Sequence, residues 1–227
     1  MINLLQISLT NRCNLSCWHC PMKAWRNGPE PRWPLNNGEL CYFLEEYVDP
    51  NTWIVELTGG EPTLYGGFNE LLQWLSSYGY YTLVKTNGTR TIARYNSVKI
   101  CSAFHRLDNP PICYDEILIV DKIQREEKEA YCKEHGIPYR VIGYDKENPD
   151  GAIHGFTRIS FINPAGHNLA CPASRPMQLV DNGVDYGRID HANIKMNPCC
   201  STCKPAIDAW RFLPDEIKAR RFQHIWH

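Results

Sequence analysis

The stretch "CNLSCWHC" places Cys13, Cys17 and Cys20 within eight residues. Thiolates are soft ligands, so three so close together suit a metal ion or a metal cluster. A structural zinc ion wants four ligands, usually as two separated pairs. An ordinary electron-transfer cluster wants a fourth cysteine nearby. Three ligands on one short loop can instead hold three corners of an iron–sulfur cube and leave one iron open. That openness is useful when something else must bind the iron. Zinc with a distant fourth ligand is the competing reading.

The chain has 227 residues and eleven cysteines. Four more lie together downstream: Cys171, Cys199, Cys200 and Cys203. An odd cysteine count fits complete disulfide pairing poorly, and clustered thiols in a reducing compartment point to metal. The scattered Cys41, Cys101, Cys113 and Cys132 read as small buried hydrophobes, with Cys101 and Cys113 flanking the mouth of the fold described next. The hydrophobic fraction of 43% fits a globular protein, and a net charge of −1 offers no broad basic face for nucleic acid. No apolar run is long enough for a transmembrane helix. The N-terminus lacks the pattern of a signal peptide. A cytoplasmic location is therefore expected.

The elements that must hold these residues follow from periodicity. Apolar runs predict strands at 2–9, 52–57, 80–86, 97–104, 116–120 and 137–144. Helical spacing predicts helices at 36–48, 67–79 and 124–136, the first capped by Asn36 or Asn37. Strands alternating with helices argue for a parallel sheet of βαβ units. Right-handed crossovers would curl it into an α/β partial (βα)6 TIM-like barrel. Cys13, Cys17 and Cys20 then sit at the C-terminal end of the first strand, where such sheets bind ligands. The rhythm breaks near residue 145. This predicts a core of residues 1–145 and a C-terminal β-hairpin and cysteine-rich extension of residues 146–227. The extension would hold strands in "FTRISFI" and in "PMQLV-DNG-VDYGRI", the latter pair turned by Asp-Asn-Gly, and one or two short helices at 205–221.

With these motifs in place, the chain resembles the radical S-adenosylmethionine (radical SAM) enzymes. "CNLSCWHC" matches the signature of that superfamily. "GGEP" (Gly59 to Pro62) follows the second strand, and "KTNG" (Lys85 to Gly88) follows the third. The resemblance implies a [4Fe-4S] cluster on Cys13, Cys17 and Cys20 whose open iron is chelated by SAM. It implies one-electron cleavage of SAM to methionine and a 5′-deoxyadenosyl radical that abstracts hydrogen from a substrate. It further implies that the Gly59 and Gly60 backbone accepts the methionine ammonium, that Glu61 adds a carboxylate near it, and that the His19 backbone meets the adenine. Thr86, Asn87, Ser102, His105 and Asp121 are candidates for the ribose and carboxylate.

The downstream cysteines look like a Twitch or SPASM appendage holding a second [4Fe-4S] cluster. Arg188 stands beyond the hairpin glycine Gly183 where that pattern has a cysteine, so zinc, or no metal, is the alternative. The expected reaction is oxidation or rearrangement of a small-molecule or peptide substrate, with electrons from a reductase such as flavodoxin or ferredoxin. Alternatives are a glycyl-radical-enzyme activase and a carboxy-deazaguanine synthase-type nucleobase enzyme; the usual N-terminal extension of the latter is missing. The non-enzyme alternative is an iron–sulfur electron carrier or sensor.

Overall fold

The structure is a computed structural model that describes residues 2–17, 31, 34–120, 124–142, 156–163, 166–169, 185–188, 197–198 and 209–218. The expectations for His19, Cys20, Asp121, Cys171, Cys199, Cys200, Cys203 and the Asp-Asn-Gly turn lie outside the described residues.

Six strands occur where the apolar runs predict them: β1 (Ile2–Ser8), β2 (Trp53–Thr58), β3 (Tyr81–Thr86), β4 (Val98–Ala103), β5 (Glu116–Val120) and β6 (Tyr139–Ile142). Each pairs in parallel with the next, in sequence order. Three helices accompany them: α1 (Asn37–Tyr47), α2 (Phe68–Ser77) and α3 (Arg125–Glu134). Asn36 caps α1 by accepting from the Glu39 N–H (3.0 Å). Helix α2 buries Phe68, Leu71, Leu72 and Leu75 on one stripe. The chain then turns at Gly79, whose φ of +80° suits glycine. Strict alternation fails twice: no helix occurs within 87–97 or 104–115, the β3–β4 and β4–β5 crossovers.

The sheet does not end where the rhythm breaks. Strand β7 (Phe156–Ile162) pairs in parallel with the free side of β1, placing Leu5 beside Ser160 and Ile7 beside Ile162. The sequence reading assigned this segment to the extension, yet it is the seventh parallel strand. The physical reason lies in β1, whose residues are almost all buried; a strand apolar on both faces suits an interior position. Strands β8 (His167–Leu169), β9 (Asp185–Arg188) and β10 (Asn197–Pro198) continue the sheet antiparallel.

The two faces of the barrel sheet differ. Leu5, Ile7, Val55, Leu57, Val84 and Ile100 face α1 and α2. On the other face Ile2, Leu4, Ile54, Leu83, Cys101 and Leu118 pack against Ala209, Phe212, Leu213 and Ile217 of the segment 209–218. That segment contains helical turns at 209–212 and 215–218, inside the predicted range. Cys101 therefore belongs to the packed floor, not to the mouth, and burial pushes its thiol up to about 12.

The inner face also carries charge. Glu56, fully buried, accepts from Gln6 Nε2 and forms an ion pair with Lys85 Nζ at 3.0 Å. Glu116 pairs with Lys99 and Arg140, each at 2.8 Å. Both cations also lie over the Phe212 ring, at 5.8 Å and 5.0 Å. Among the described residues, no helix is long and apolar enough to cross a membrane.

Candidate functional site

The loops that leave β1, β2, β3 and β4 meet at one end of the sheet. Cys13 and Cys17 lie on the first of them, both half-buried.

The loop after β2 is joined to this cysteine loop through backbone alone. The Gly60 N–H donates to the Thr10 carbonyl and the Glu61 N–H to the Arg12 carbonyl, both at 2.8 Å. These bonds extend the β1–β2 ladder beyond the strands. They also explain the glycine pair. A Cβ on Gly60 would meet the Arg12 carbonyl oxygen at 2.3 Å, and one on Gly59 would meet the Thr10 carbonyl oxygen at 2.6 Å. Gly59 further adopts a φ of +141°, which side chains avoid. Close approach of backbone was expected here toward a ligand. The structure shows it toward the cysteine loop itself.

Glu61 is 1% exposed. One carboxylate oxygen accepts from the Thr63 N–H (3.2 Å), the Thr63 hydroxyl (2.7 Å) and the Thr86 hydroxyl (2.7 Å). The other accepts from the Asn87 N–H (2.8 Å). The carboxylate thus ties the β2 loop to the end of β3. Asn87 passes the connection back to the cysteine loop: its amide donates to Asn14 Oδ1 (2.7 Å), and Asn14 donates to Thr89 (2.8 Å). Three of the candidates, Glu61, Thr86 and Asn87, therefore form one network.

Ser102 stands elsewhere. Its hydroxyl donates to the Cys113 carbonyl, and it alternates with Val98 and Ile100, on the helix-facing side of β4. His105 comes to the cysteines: its Nδ1 lies 3.3 Å from Cys17 Sγ. Behind it, Lys128 of α3 donates to the His105 carbonyl at 3.3 Å. Lys128 is 1% exposed, and burial pushes its ammonium below the ordinary lysine value, opposed by the charges of Glu127 and Cys17.

Sequence reasoning did not find Asn14, Lys128 or the Gln6–Glu56–Lys85 triad. Lys128 gives no signal in a helix this polar. Glu56 and Lys85 could have been noticed as charges inside apolar strands, where a charge must be paired.

The donor set tests the expected cluster. The Leu15 N–H donates to Cys13 Sγ (3.5 Å), and the His105 ring nitrogen meets Cys17 Sγ. Nitrogen groups aimed at sulfur suit thiolate ligands. Cys13 and Cys17, the two described cysteines of the loop, therefore suit the expected iron–sulfur cluster.

The comparisons with known proteins agree. The family model described as Radical SAM superfamily matches residues 7–152. The chain belongs to the radical SAM superfamily. This radical SAM chain is 33% identical to the mitochondrial GTP 3′,8-cyclase of Arabidopsis thaliana over 117 residues, which cover 50% of this chain and 29% of the cyclase. It is 30% identical to the 7-carboxy-7-deazaguanine synthase of Methanothermobacter thermautotrophicus over 153 residues, 58% of this chain and 61% of the synthase. Both matches span less than two thirds of the relative's length. In three dimensions it resembles native anSMEcpe with bound AdoMet, with a TM-score of 0.56 at 13% identity, covering 96% of this chain and 86% of that one. It also resembles Streptococcus suis SuiB bound to S-adenosylmethionine, with a TM-score of 0.54 at 14% identity, covering 96% and 67%. These two likenesses show the fold. Members of the superfamily are enzymes, and the family implies a [4Fe-4S] cluster and SAM as cofactors.

Proposed function

We propose that this radical SAM chain cleaves SAM reductively and abstracts hydrogen from a small-molecule or peptide substrate, with net oxidation or rearrangement. The reading rests on one observation: the loop bearing Cys13 and Cys17 is bonded, backbone to backbone, to the GGEP loop within the matched family region. When bound, the cluster and SAM supply one-electron cleavage of the sulfonium and a 5′-deoxyadenosyl radical.

In this reading the chain's own residues position and select. Cys13, Cys17 and Cys20 hold the cluster. Gly59 and Gly60 fix the distance between the cysteine loop and the cofactor-binding edge, and His19 would meet the adenine through its backbone. Glu61, Thr86 and Asn87 act mainly by bracing that edge, since their polar groups already bond one another. Ser102 supports the neighbouring loop. In the part of the chain beyond β7, Cys171, Cys199, Cys200 and Cys203 hold a second [4Fe-4S] cluster or a zinc ion. A flavodoxin or ferredoxin in the cytoplasm supplies electrons.

A nucleobase substrate is the second reading, favoured by the similarity to the GTP 3′,8-cyclase and the 7-carboxy-7-deazaguanine synthase above.

The test is anaerobic. Reconstituted, dithionite-reduced protein should release 5′-deoxyadenosine and methionine from SAM, and C13A, C17A or C20A should abolish this. SAM left intact by a fully loaded protein, with or without candidate substrates, overturns the reading. Iron should number about eight per chain, falling to about four when the four downstream cysteines become alanine. Consumption of GTP, or formation of 7-carboxy-7-deazaguanine, would decide for the second reading.

A further inference from the structure

The contact between His105 and Cys17 is backed by a buried cation, Lys128, bonded to the His105 carbonyl. The His105 ring nitrogen nearest the sulfur is Nδ1, at 3.3 Å. A thiolate ligand can only accept, so in the loaded protein Nδ1 must carry the hydrogen. The backbone of His105 is fixed from below. Its carbonyl accepts from Lys128 Nζ (3.3 Å), and Lys128 also lies over the Phe104 ring, with 5.8 Å from Nζ to the ring centre. Phe104 is buried with Ile117, Ile119 and Cys132, so this support is part of the core and not a surface arrangement. A hydrogen bond and a positive charge are thus stacked on the same side of one cysteine.

We propose that His105 and Lys128 are positioning residues that raise the reduction potential of the cluster through Cys17. The inference rests on the assignment of Cys13, Cys17 and Cys20 as its ligands. One electron enters the cluster from an external low-potential donor, dithionite in the test below. No bond forms or breaks, and the cluster gains one negative charge. A hydrogen bond to a ligand sulfur and a nearby buried cation both stabilise the more negative state. Reduction of the cluster precedes the cleavage of SAM. Removing either group should make the cluster harder to reduce while leaving it in place.

The experiment is an anaerobic potentiometric titration followed by electron paramagnetic resonance. It uses full-length reconstituted wild type, H105F, H105Q and K128M. The signal followed is the one that changes shape when SAM is added, which separates the open cluster from any second one. Iron is counted in every sample. H105F keeps a ring without a donor, and H105Q keeps an N–H. At a fixed poise, H105F should show roughly tenfold less reduced cluster than wild type, a shift of about 59 mV for a one-electron couple. H105Q should recover part of the loss, and K128M should move in the same direction as H105F. Equal potentials in wild type and H105F at equal iron content overturn the proposal. If H105F loads less iron than wild type, K128M, which keeps the His105 ring, decides: an unchanged potential there at wild-type iron content overturns it too. A wild-type protein with no SAM-sensitive signal would instead overturn the cluster assignment itself.

Discussion

The cysteine loop is gripped differently at its two ends. Its start, Thr10 to Arg12, is held by main-chain bonds to Gly60 and Glu61. Its Cys17 end is met by a side chain, His105, supported in turn by Lys128. The first grip leaves almost no freedom in residue type, because any Cβ on Gly60 collides with backbone. The second tolerates replacement sterically but changes the electrical surroundings of one sulfur. The first is therefore expected to govern whether the site exists, and the second how it behaves.

Substitution can break the first grip outright. G60A forces a Cβ to 2.3 Å from the Arg12 carbonyl oxygen, a backbone contact that cannot rotate away. The expected loss is about 3 kcal/mol, read as a lower melting temperature, together with loss of iron from the reconstituted protein. A G60A protein that keeps wild-type stability and iron would show the two loops to be independent. E61A comes next. It strands the Thr63 and Asn87 N–H groups and should cost about 2 kcal/mol in denaturant titrations.

The inner face offers a control remote from both grips. Burial by itself would raise the Glu116 carboxyl, but its bonds to Lys99 and Arg140 outweigh this and hold it below its ordinary value. A lowered folded-state value means that the stabilisation is complete above the ordinary value of 4.5 and is lost as pH falls through the folded value. Denaturation followed from pH 7 to below 4 should show this acid limb flattened in E116Q, with iron loading unchanged. The smallest effect on stability belongs to the second grip: H105F should cost under about 1 kcal/mol, a value that calorimetry can check.

The same contrast explains what could be read beforehand. A grip made of backbone needs glycine, so Gly59 and Gly60 were visible in the sequence, although the partner they approach was not. Glu61 was visible as part of a motif, but a carboxylate that braces a loop and one that faces a ligand are the same letter. His105 was a candidate because it follows a strand; its pairing with Cys17 spans 88 positions and leaves no local trace. The strands were legible from their apolar runs, and α1 and α2 from their period. Strand β7 was legible as a strand but not as a neighbour of β1, since pairing over such a distance has no periodic signature. The charges on the inner face were passed over because parallel strands are expected to be continuously apolar.

Strand β7 has a further consequence, for the order in which the protein can be made. β1 is made before β7, and one lateral edge of β1 stays bare until residues 156–162 have left the ribosome. During that interval a nascent chain carries an open, apolar parallel edge next to unprotected thiols, the kind of surface that joins wrongly to other chains. Chains truncated before residue 156 would keep that edge permanently and should precipitate. Iron delivery during biogenesis is then safest after the late strand has zipped into place.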